Sequence, residues 1–365
     1  MFVDGRHYRS IWLDEASGLP WIIDQTRLPF DFEVRALSTV DDAAEAISTM
    51  RVRGAPLIGA TVAHGLALAL AVNPTNVGLE RARAQLAATR PTAVNLRWAL
   101  DRVERAVAPL VPRERAARAR AEAIAICDED VATCSSIGDH GLALLQRLAS
   151  ARPDAPLQIL THCNAGWLAT VDWGTALAPI YKAHDAGLPL HVWIDETRPR
   201  NQGAALTAFE LREHGVPHTV IADNAGGHLM QRGEVDLVIV GSDRTTATGD
   251  VCNKIGTYLK ALAARAHGIP FYVALPVSSI DWTIRDGIRE IPIEERSADE
   301  VRMISGRRSD GRIDRVELFS AETAARNPAF DVTPSALVSG LITEHGIFDA
   351  TASSLADLKS RLGSG

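Results

Sequence analysis

A glycine–x–proline pattern that recurs in the second half of the chain constrains the fold more than any other feature. A helical stretch ends in glycine, and a proline two positions later leads into an apolar run. The pattern occurs at Gly187-Leu188-Pro189, Gly215-Val216-Pro217 and Gly268-Ile269-Pro270. Glycine adopts the left-handed conformation that ends a helix, and proline stops the helix from continuing. The repetition predicts a parallel, doubly wound α/β sheet, in which strands and helices alternate.

The apolar runs of this region have the length and composition of buried parallel strands. The predicted strands are 157–161, 190–194, 218–222, 237–240 and 270–275. The predicted helices between them are 176–186, 203–214 and 255–267. Residues 151–365 are therefore expected to form an α/β domain with a candidate active site at the carboxyl edge of its sheet.

Residues 1–150 have a different pattern and are expected to form a mainly helical domain with a small β element. Two short β-like runs flank a turn at residues 15–18, which predicts a hairpin. Ser38-Thr39 followed by Asp41-Asp42 is typical of a helix start. Residues 114–148, rich in Ala, Arg and Glu, predict one long amphipathic helix or two. The domain boundary is placed near residues 150–153, where the composition changes.

The composition argues against several classes of protein. The 365 residues include 46% hydrophobic side chains and carry a net charge of −7, which argues against a general nucleic-acid-binding protein. The apolar stretch at residues 60–72 is short and contains His64, so no membrane span is expected. The N-terminus lacks the apolar core of a secretory signal. The four cysteines form no CxxC pair, which is typical of free thiols in a reducing cytoplasm.

The sequence contains no recognisable cofactor signature. Neither a Walker A nor a GxGxxG motif is present, and Gly226-Gly227 lacks the dinucleotide spacing. The histidines are scattered without an HExxH motif, and Cys127 and Cys134 have the spacing of packing residues on one helix face. We therefore expect neither a nucleotide cofactor nor a metal ion.

Polar or small residues follow each predicted strand, at the edge where the carboxyl ends of parallel strands meet. These strand ends are residues 161–163, 195–198, 223–227, 241–244 and 276–279. Together they are expected to line one polar pocket. The most informative stretch is 237–254, LVIVGSDRTTATGDVCNK, in which a buried strand delivers Asp243 and Asn253-Lys254 is expected to begin a helix.

Cys163 is the first candidate catalytic residue. It follows the strand 157–161, and the amides of Asn164-Ala165-Gly166 are expected to form an anion-binding turn that stabilises the thiolate. His162 points to the opposite face of the strand and is expected to be a core residue rather than a base for Cys163. An inert, buried thiol is the alternative interpretation of Cys163.

Asp243 is the second candidate. Partial burial at the end of an apolar strand is expected to raise the pKa of its carboxyl group, so that it can hold a proton near neutral pH. A carboxyl group of this kind beside Cys163 would form an acid–base pair. The structural alternative for Asp243 is a helix cap or a turn residue.

Arg53 is the first of three cationic residues that suit an anionic substrate. It precedes Gly54-Ala55, where glycine permits backbone amides to approach an anion closely. Taken singly, an arginine such as Arg53 is more often an ordinary surface cation.

The other two cations are Arg90 and Lys254. Arg90 precedes Pro91, which is expected to hold it in an extended turn. Lys254 follows Asn253 near the expected helix start, where backbone amides favour phosphate. Each also has the alternative of a surface cation.

Several sequence blocks, in order along nearly the whole chain, carry a family resemblance. They are RGAPLIG at 53–59, THCNAG at 161–166, ETRP at 196–199 with NQG at 201–203, GSDR at 241–244, GDVCNKIGT at 249–257 and NPAFDVTP at 327–334. The blocks resemble the S-methyl-5-thioribose-1-phosphate isomerase family, whose superfamily includes the regulatory subunits of initiation factor 2B. An ordered series of this kind is far more specific than a single motif.

The resemblance implies a cofactor-free aldose–ketose isomerase of methionine salvage, which interconverts 5-methylthioribose 1-phosphate and 5-methylthioribulose 1-phosphate. It implies that Cys163 and Asp243 are the catalytic pair. The substrate-binding residues that it implies are Arg53, Gly54, Ala55, Arg90, Gln202, Asn253 and Lys254. It also implies a helical N-terminal domain, a Rossmann-like C-terminal domain and a homodimer.

The chemistry of such a substrate fits these residue types. A sugar phosphorylated at its anomeric carbon does not open to an aldehyde unless an acid protonates the ring oxygen, a task that suits Asp243. Hydrogen must then move from C2 to C1. It travels either as a proton, with Cys163 as the base, or as a hydride in a dry pocket. We favour the proton route, because it gives the thiol a direct task.

Two alternative functions stay open. The first is an isomerase of another ribose 1-phosphate, such as 5-deoxyribose 1-phosphate or ribose 1,5-bisphosphate. Trp12, Trp21, Ile22 and Leu28-Pro29-Phe30, with Arg27 as a rare cation, favour an apolar group at C5 over a second phosphate. The second alternative is a regulatory subunit that binds a phosphosugar without turning it over, which the presence of both Cys163 and Asp243 disfavours.

Overall fold

The computed structural model describes residues 1–90, 94–151 and 154–363. Its N-terminal part combines short strands with long helices. The strands are β1 (Phe2–Val3), β2 (Arg6–His7), β3 (Ile11–Leu13), β4 (Pro20–Ile23) and β5 (Val34–Ala36). The helices are α1 (Val40–Ser48), α2 (Ala55–Val72), α3 (Asn76–Ala87), α4 (Val94–Val107) and α5 (Pro112–Ser150).

The predicted hairpin and the predicted helix start are both confirmed. Strands β3 and β4 pair antiparallel, and β5 pairs with β4. Helix α1 begins after Thr39, whose hydroxyl accepts a hydrogen bond from the Asp42 amide at 3.1 Å. The Asp42 carboxylate accepts one from the Thr39 amide at 2.9 Å in return. This reciprocal capping box satisfies amides that a helix end otherwise leaves unpaired.

Helix α2 forms the centre of the N-terminal core, where Leu57, Leu66 and Leu70 are fully buried. It has 18 residues and is longer than the apolar stretch noted at residues 60–72. By length and composition alone it could cross a membrane, but 67% of it is buried inside the protein. A helix that is apolar on every side and covered by protein has the properties of a core helix.

The predicted helix at 114–148 is a single helix, α5, of 39 residues. Its first half contributes Ala119 and Ile126 to the N-terminal core, and its second half contributes Leu144 and Leu145 to the core beneath the α/β sheet. Residues 152–153, part of the predicted boundary, lie outside the described residues. The division into domains of residues 1–150 and 151–365 stays a prediction.

The C-terminal part contains the α/β sheet and smaller sheets around it. The strands are β6 (Leu157–Thr161), β7 (Leu190–Asp195), β8 (His218–Ile221), β9 (Leu237–Val240), β10 (Arg244–Thr246), β11 (Val251–Lys254), β12 (Phe271–Ala274), β13 (Ile280–Asp281), β14 (Met303–Arg307), β15 (Ile313–Glu317), β16 (Phe330–Thr333), β17 (Gly340–Thr343) and β18 (Gly346–Phe348). The helices are α6 (Ala178–Asp185), α7 (Ala208–His214), α8 (Ala225–Gln231), α9 (Thr257–Ala266), α10 (Gly287–Glu290), α11 (Asp299–Arg302) and α12 (Ala352–Leu362).

The largest sheet among the described residues confirms the predicted doubly wound architecture. Its strand order is β18-β17-β12-β9-β6-β7-β8, and every neighbouring pair is parallel except β17 with β18. The chain moves outward from β6 through β7 and β8, and then outward on the other side through β9, β12 and β17. Strand order therefore reverses between β6 and β9, and a crevice opens beyond their carboxyl ends.

Apolar cores cover both faces of this sheet. Ile159 and Ile239 pack into the core that α5 also lines, whereas Leu160 and Val240 pack into the core on the opposite face. Alternate residues of a strand point to opposite faces, so strands buried on both sides read as continuous apolar runs. This is why the strand positions were predictable from the sequence.

The expectation that Asn253-Lys254 begins a helix is wrong. Both residues lie in β11, and α9 begins at Thr257. Strand β11 pairs antiparallel with β10 on one side and with β16 on the other, in a sheet of order β13-β10-β11-β16. Pairing with β16, which lies far along the chain, overrides a local sequence that resembles a helix start. The predicted helix at 203–214 also differs, since residues Gly203–Thr207 form a π-helix before α7.

Candidate active site

The crevice between β6 and β9 brings the predicted site residues together. Those that line a cavity of about 80 Å³ are Cys163, Asp243, Arg53, Gly54, Ala55, Arg90, Gln202 and Lys254. Asn253 lines an adjoining cavity of about 40 Å³, together with Cys163 and Asp243. The residues that the family resemblance implies therefore share one location, while their individual roles stay predictions.

The strand ends contribute unequally to this crevice. The residues that follow β6, β9 and β12 line the two cavities, at Cys163, Asp243 and Ser279. Within the described residues, the ends of β7 and β8 line neither cavity, so the expectation of one pocket from all five ends is wrong. Switch-point geometry explains the difference, because β7 and β8 lie on the outer side of β6.

Cys163 has a backbone conformation that few side chains adopt. Its φ is +65°, in the left-handed region, and the φ of Thr197 at the end of β7 is +67°. The Thr197 hydroxyl accepts a hydrogen bond from the Cys163 amide at 2.8 Å and donates one to the Asp195 carbonyl at 2.9 Å. Left-handed φ is unusual for a β-branched residue, and such strain is concentrated at functional sites.

The Cys163 thiol is buried and lies 3.4 Å from the Gln202 Oε1 atom, to which it donates. Burial raises the pKa of this thiol, while the positive charges of Arg53 and Lys254 oppose the rise. The Asn164 amide, in the turn after Cys163, lowers the pKa of the thiol as expected, but the loss of hydration outweighs this hydrogen bond and the two cations together.

The predicted rise in the pKa of the Asp243 carboxyl group is confirmed. Burial raises the pKa of its carboxyl group, and Lys254, Arg53 and Arg90 oppose that rise. The side chain is partly exposed to the cavity. Its backbone amide donates to the Cys252 carbonyl at 3.0 Å, which fixes the start of the β10–β11 hairpin beneath it.

The Arg53 guanidinium is positioned by hydrogen bonds to Asn164, the residue after Cys163. One guanidinium nitrogen donates to Asn164 Oδ1, and another donates to the Asn164 carbonyl at 2.8 Å. Gly54 follows with φ +95°, and a Cβ atom there would lie 2.2 Å from the Ala169 carbonyl oxygen. Only glycine permits this approach, which brings the start of α2 against the loop after Cys163.

Lys254 and Asn253 reach the crevice from β11 rather than from a helix start. Lys254 is 7% exposed, and its Nζ atom lies 4.8 Å from the centre of the Phe330 ring, a cation–π distance. Burial lowers the pKa of this lysine, and the nearby Cys163 and Asp243 oppose the shift. Asn253 is buried, and its amide donates to the Thr257 hydroxyl at 3.0 Å.

Arg90, which follows helix α3, also lines the crevice. Its guanidinium pairs with the Glu294 carboxylate at 3.2 Å, and its Nε atom is buried without a hydrogen-bond partner. Pro91, which was expected to hold Arg90 in an extended turn, lies outside the described residues.

Glu210 in α7 is a site-supporting residue that the sequence did not reveal. Its buried carboxylate accepts hydrogen bonds from the Asn164 side chain (2.8 Å), the Trp167 amide (2.9 Å), the Leu168 amide (3.0 Å) and the Tyr181 hydroxyl (2.6 Å). The bond to Asn164 turns the amide oxygen of that side chain towards Arg53. A glutamate inside a predicted helix gives no sequence signal of such a contact.

His162 is confirmed as a core residue. It is 1% exposed, and its ring nitrogens contact Asp195 Oδ2 and the Ile255 carbonyl, both at 2.8 Å. Ligand atoms of His162, Asp195 and Asp223 lie within 4.8 Å of one another, a grouping that could hold a metal ion. The Lys260 ammonium lies 3.1 Å from Asp195 Oδ2, so a protein cation already supplies positive charge there.

The fold and the crevice define a class of protein, and comparison with known proteins specifies it. Residues 51–350 match the initiation factor 2 subunit family, and the chain belongs to that family and, within it, to the methylthioribose-1-phosphate isomerases. Proteins of that name are 63% identical over 358 residues in Methylorubrum extorquens and 64% identical over 357 residues in Methylocella silvestris. Each comparison covers 98% of both chains.

Solved structures agree with this membership. The crystal structure of 5-methylthioribose 1-phosphate isomerase from Pyrococcus horikoshii OT3 has a TM-score of 0.83 and 40% identity, and covers 97% of this chain and 96% of that one. The structure of translation initiation factor eIF-2B, subunit delta, from A. fulgidus has a TM-score of 0.79 and 38% identity, with 96% and 100% covered.

Proposed function

We propose that the protein is an aldose–ketose isomerase that converts 5-methylthioribose 1-phosphate to 5-methylthioribulose 1-phosphate in methionine salvage. The observation that carries the proposal is the crevice at the strand switch point. It places a thiol and a carboxyl group among three cations, in a chain 63% identical to proteins named for this reaction. These groups supply an acid, a hydrogen-transfer partner and a phosphate site.

In this proposal Asp243 opens the sugar ring. The raised pKa of its carboxyl group increases the protonated fraction near neutral pH, which is the form that donates to the ring oxygen. Arg53 and Lys254 hold the phosphate on C1. Their charges also limit the rise of the Asp243 pKa, so that the group can release its proton during the reaction.

Cys163 then faces the carbons between which hydrogen moves. In the proton route its thiolate, stabilised by Arg53 and Lys254, removes a proton from C2 and returns it to C1. In either route the 2-hydroxyl group gives its proton to the Asp243 carboxylate, which forms the C2 carbonyl and restores the acid. In the hydride route the neutral, buried thiol packs against the sugar and excludes water. The raised pKa of Cys163 makes the thiolate the minor form of the side chain. The proton route needs this thiolate as its base, so the raised pKa weakens the argument for the proton route over the hydride route.

The first experiment measures turnover by purified protein and by variants of the two residues. Wild-type protein should form ketose from 5-methylthioribose 1-phosphate, and Cys163→Ala and Asp243→Asn should each lower kcat by about 10²–10⁴. Cys127→Ala and Asp357→Asn, which lie outside the crevice, are the matched controls and should retain activity. Full activity in either crevice variant would exclude the assigned role of that residue.

A second experiment separates the two routes. The reaction is run in deuterated water, and the ketose is analysed by NMR and mass spectrometry. Deuterium at C1 supports the proton route with Cys163. Its complete absence supports hydride transfer, provided that the recovered aldose also carries no deuterium at C2.

The similarity to an initiation-factor-2B subunit structure favours a second candidate function, a phosphosugar-binding subunit without turnover. The two candidates predict different results with the same protein. Binding of the phosphosugar in calorimetry without formation of ketose would support the subunit. The presence of both Cys163 and Asp243 in the crevice supports the enzyme.

The proposal includes a homodimer in the cytoplasm. The homodimer follows from the family resemblance, and light scattering should give twice the mass of one chain. Free thiols at all four cysteines suit a reducing compartment, and cell fractionation tests the location. The mass of a single chain would contradict the homodimer, and recovery in the membrane fraction would contradict the cytoplasmic location.

A further inference from the structure

The cavity around Cys163 and Asp243 is too small for a whole phosphosugar. Its volume is about 80 Å³, whereas pockets for small molecules usually measure about 300–1,000 Å³. A second cavity of about 640 Å³, which we call the vestibule, shares Met50, Arg53 and Gln202 with the first. A bound sugar must therefore extend from the catalytic cavity into the vestibule.

Four segments of the chain form most of the walls of the vestibule. They are residues 25–30, residues 199–206, residues 297–300 and the β14–β15 hairpin. The hairpin is fastened to the first segment by Arg307, which donates to the Phe30 carbonyl at 2.7 Å and stacks on the Phe30 ring. The apolar side chains that face the space include Leu28, Phe30, Leu206 and Met303.

Two cations of the vestibule are paired with neighbouring acids, whereas Arg315 lines the same space without an ion-pair partner among the described residues. Arg27 pairs with Glu33 at 3.2 Å, and Arg200 pairs with Glu300 at 2.9 Å. Asp299 and Glu300 line the same space. The vestibule therefore offers a second phosphate one unpaired cation beside the two acids Asp299 and Glu300, whereas its apolar side chains suit an uncharged substituent.

The reaction fixes which end of the sugar enters the vestibule. Carbons C1 and C2 must lie at Cys163 and Asp243, and the phosphate on C1 stays with Arg53 and Lys254 in the inner cavity. The substituent on C5 lies across the ring from the reacting carbons. It therefore points through the opening at Met50 and Gln202.

We infer that the vestibule is a subsite for the C5 substituent, and that it admits alkylthio groups much longer than methylthio. The inference rests on the proposed function and extends it to a substrate class, the 5-alkylthioribose 1-phosphates. The reaction is unchanged, because hydrogen moves from C2 to C1 and the thioether takes no part. The volume of the vestibule and its apolar side chains, and not the catalytic residues, set the limit on chain length.

The test compares kcat/KM for the 5-methylthio and 5-butylthio forms of ribose 1-phosphate with the purified full-length protein. We expect the butylthio compound to be isomerised with a kcat/KM within tenfold of the methylthio value. A fall of more than tenfold overturns the inference and leaves the proposed function standing. Failure to convert the methylthio compound overturns the proposed function itself.

A variant tests whether the longer chain occupies the vestibule. Ala204 lines this space and is only partly buried, so Ala204→Phe adds bulk there. We expect the ratio of butylthio to methylthio kcat/KM to fall at least tenfold. Ala84→Phe, an exposed alanine on α3, is the matched control and should leave the ratio unchanged. An unchanged ratio in Ala204→Phe would place the chain elsewhere and overturn the inference.

Discussion

At the scale of single residues, the site depends on opposing effects on proton affinity. Burial raises the pKa of both Cys163 and Asp243, and the charges of Arg53 and Lys254 lower both. The negative charge of an ionised Asp243 also raises the pKa of Cys163. The two groups therefore titrate as a pair, and a change in either one alters the other.

The coupling predicts opposite shifts in two variants. The rate at which Cys163 is alkylated should depend on pH with a pKa above that of an ordinary thiol, because burial disfavours the reactive thiolate. Asp243→Asn removes a negative charge and should lower the pKa of Cys163, whereas Lys254→Met removes a positive charge and should raise it. The measurement is the rate of iodoacetamide labelling against pH, read on the Cys163 peptide by mass spectrometry. Shifts in the same direction would contradict the coupling.

Gly54 carries a second residue-scale prediction. A Cβ atom at this position would meet the Ala169 carbonyl at 2.2 Å, and its φ of +95° strains any other residue. Gly54→Ala should therefore lower the free energy of unfolding by roughly 2 kcal/mol or more, measured by chemical denaturation. Gly233→Ala has φ +74° but nothing within 4 Å, so it isolates the backbone strain and should cost less. Equal losses would show that the contact with Ala169 is unimportant.

At the scale of elements, the π-helix Gly203–Thr207 and the helix α7 form one platform beneath the site. Gln202 contacts the Cys163 thiol, Thr207 donates to the Cys163 carbonyl at 2.8 Å, and Glu210 holds Asn164. A π-turn inserts an extra residue into a helix and is frequent at functional sites. Here it aligns three polar side chains along the loop after β6.

The platform predicts a selective defect in Glu210→Gln. The amide nitrogen of glutamine cannot accept the hydrogen bonds that Trp167 and Tyr181 donate, so Asn164 should lose its fixed orientation towards Arg53. If Arg53 binds the phosphate equally in the ground and transition states, KM should rise about tenfold while kcat changes less. Glu213→Gln, in the same helix, is the control. A fall in kcat at constant KM would contradict this positioning role.

At the scale of the whole molecule, α5 joins the two predicted domains. Its second half places Ile137, Leu144 and Leu145 in the core beneath the sheet, and Ile23 and Leu28 reach the same core from the N-terminal segment. A boundary near residue 150 therefore separates regions of different composition but not independent cores. The domains are joined by packing as well as by the chain.

This shared core predicts that residues 151–365 do not fold alone. The fragment would expose the apolar surface that α5 and the N-terminal segment cover, at about 25 cal/mol for each Å². We expect it to lack a cooperative thermal transition and to bind a hydrophobic dye, whereas the intact chain should unfold cooperatively. A cooperative transition in the fragment would show that the two domains fold independently.

Sequence patterns predicted the elements of local origin well. The strands β6 and β9, the capping of α1 and the hairpin of β3 and β4 depend on neighbouring residues and are confirmed. The prediction for Asn253-Lys254 was wrong, because β11 depends on pairing with the distant β16. Glu210 was missed for the same reason, since its partners lie more than 25 positions away along the chain.

The sequence by itself determined the doubly wound class of fold, because glycine and proline act on the residues beside them and buried strands need apolar runs. It also identified Cys163 and Asp243 as the candidate pair, because each follows such a run. Only the tertiary structure decided that the ends of β6 and β9 meet at the switch point, that burial raises the pKa of the Cys163 thiol, and that a vestibule adjoins the cavity. These properties depend on strand order, hydration and distant contacts, which arise only when separate parts of the chain pack together.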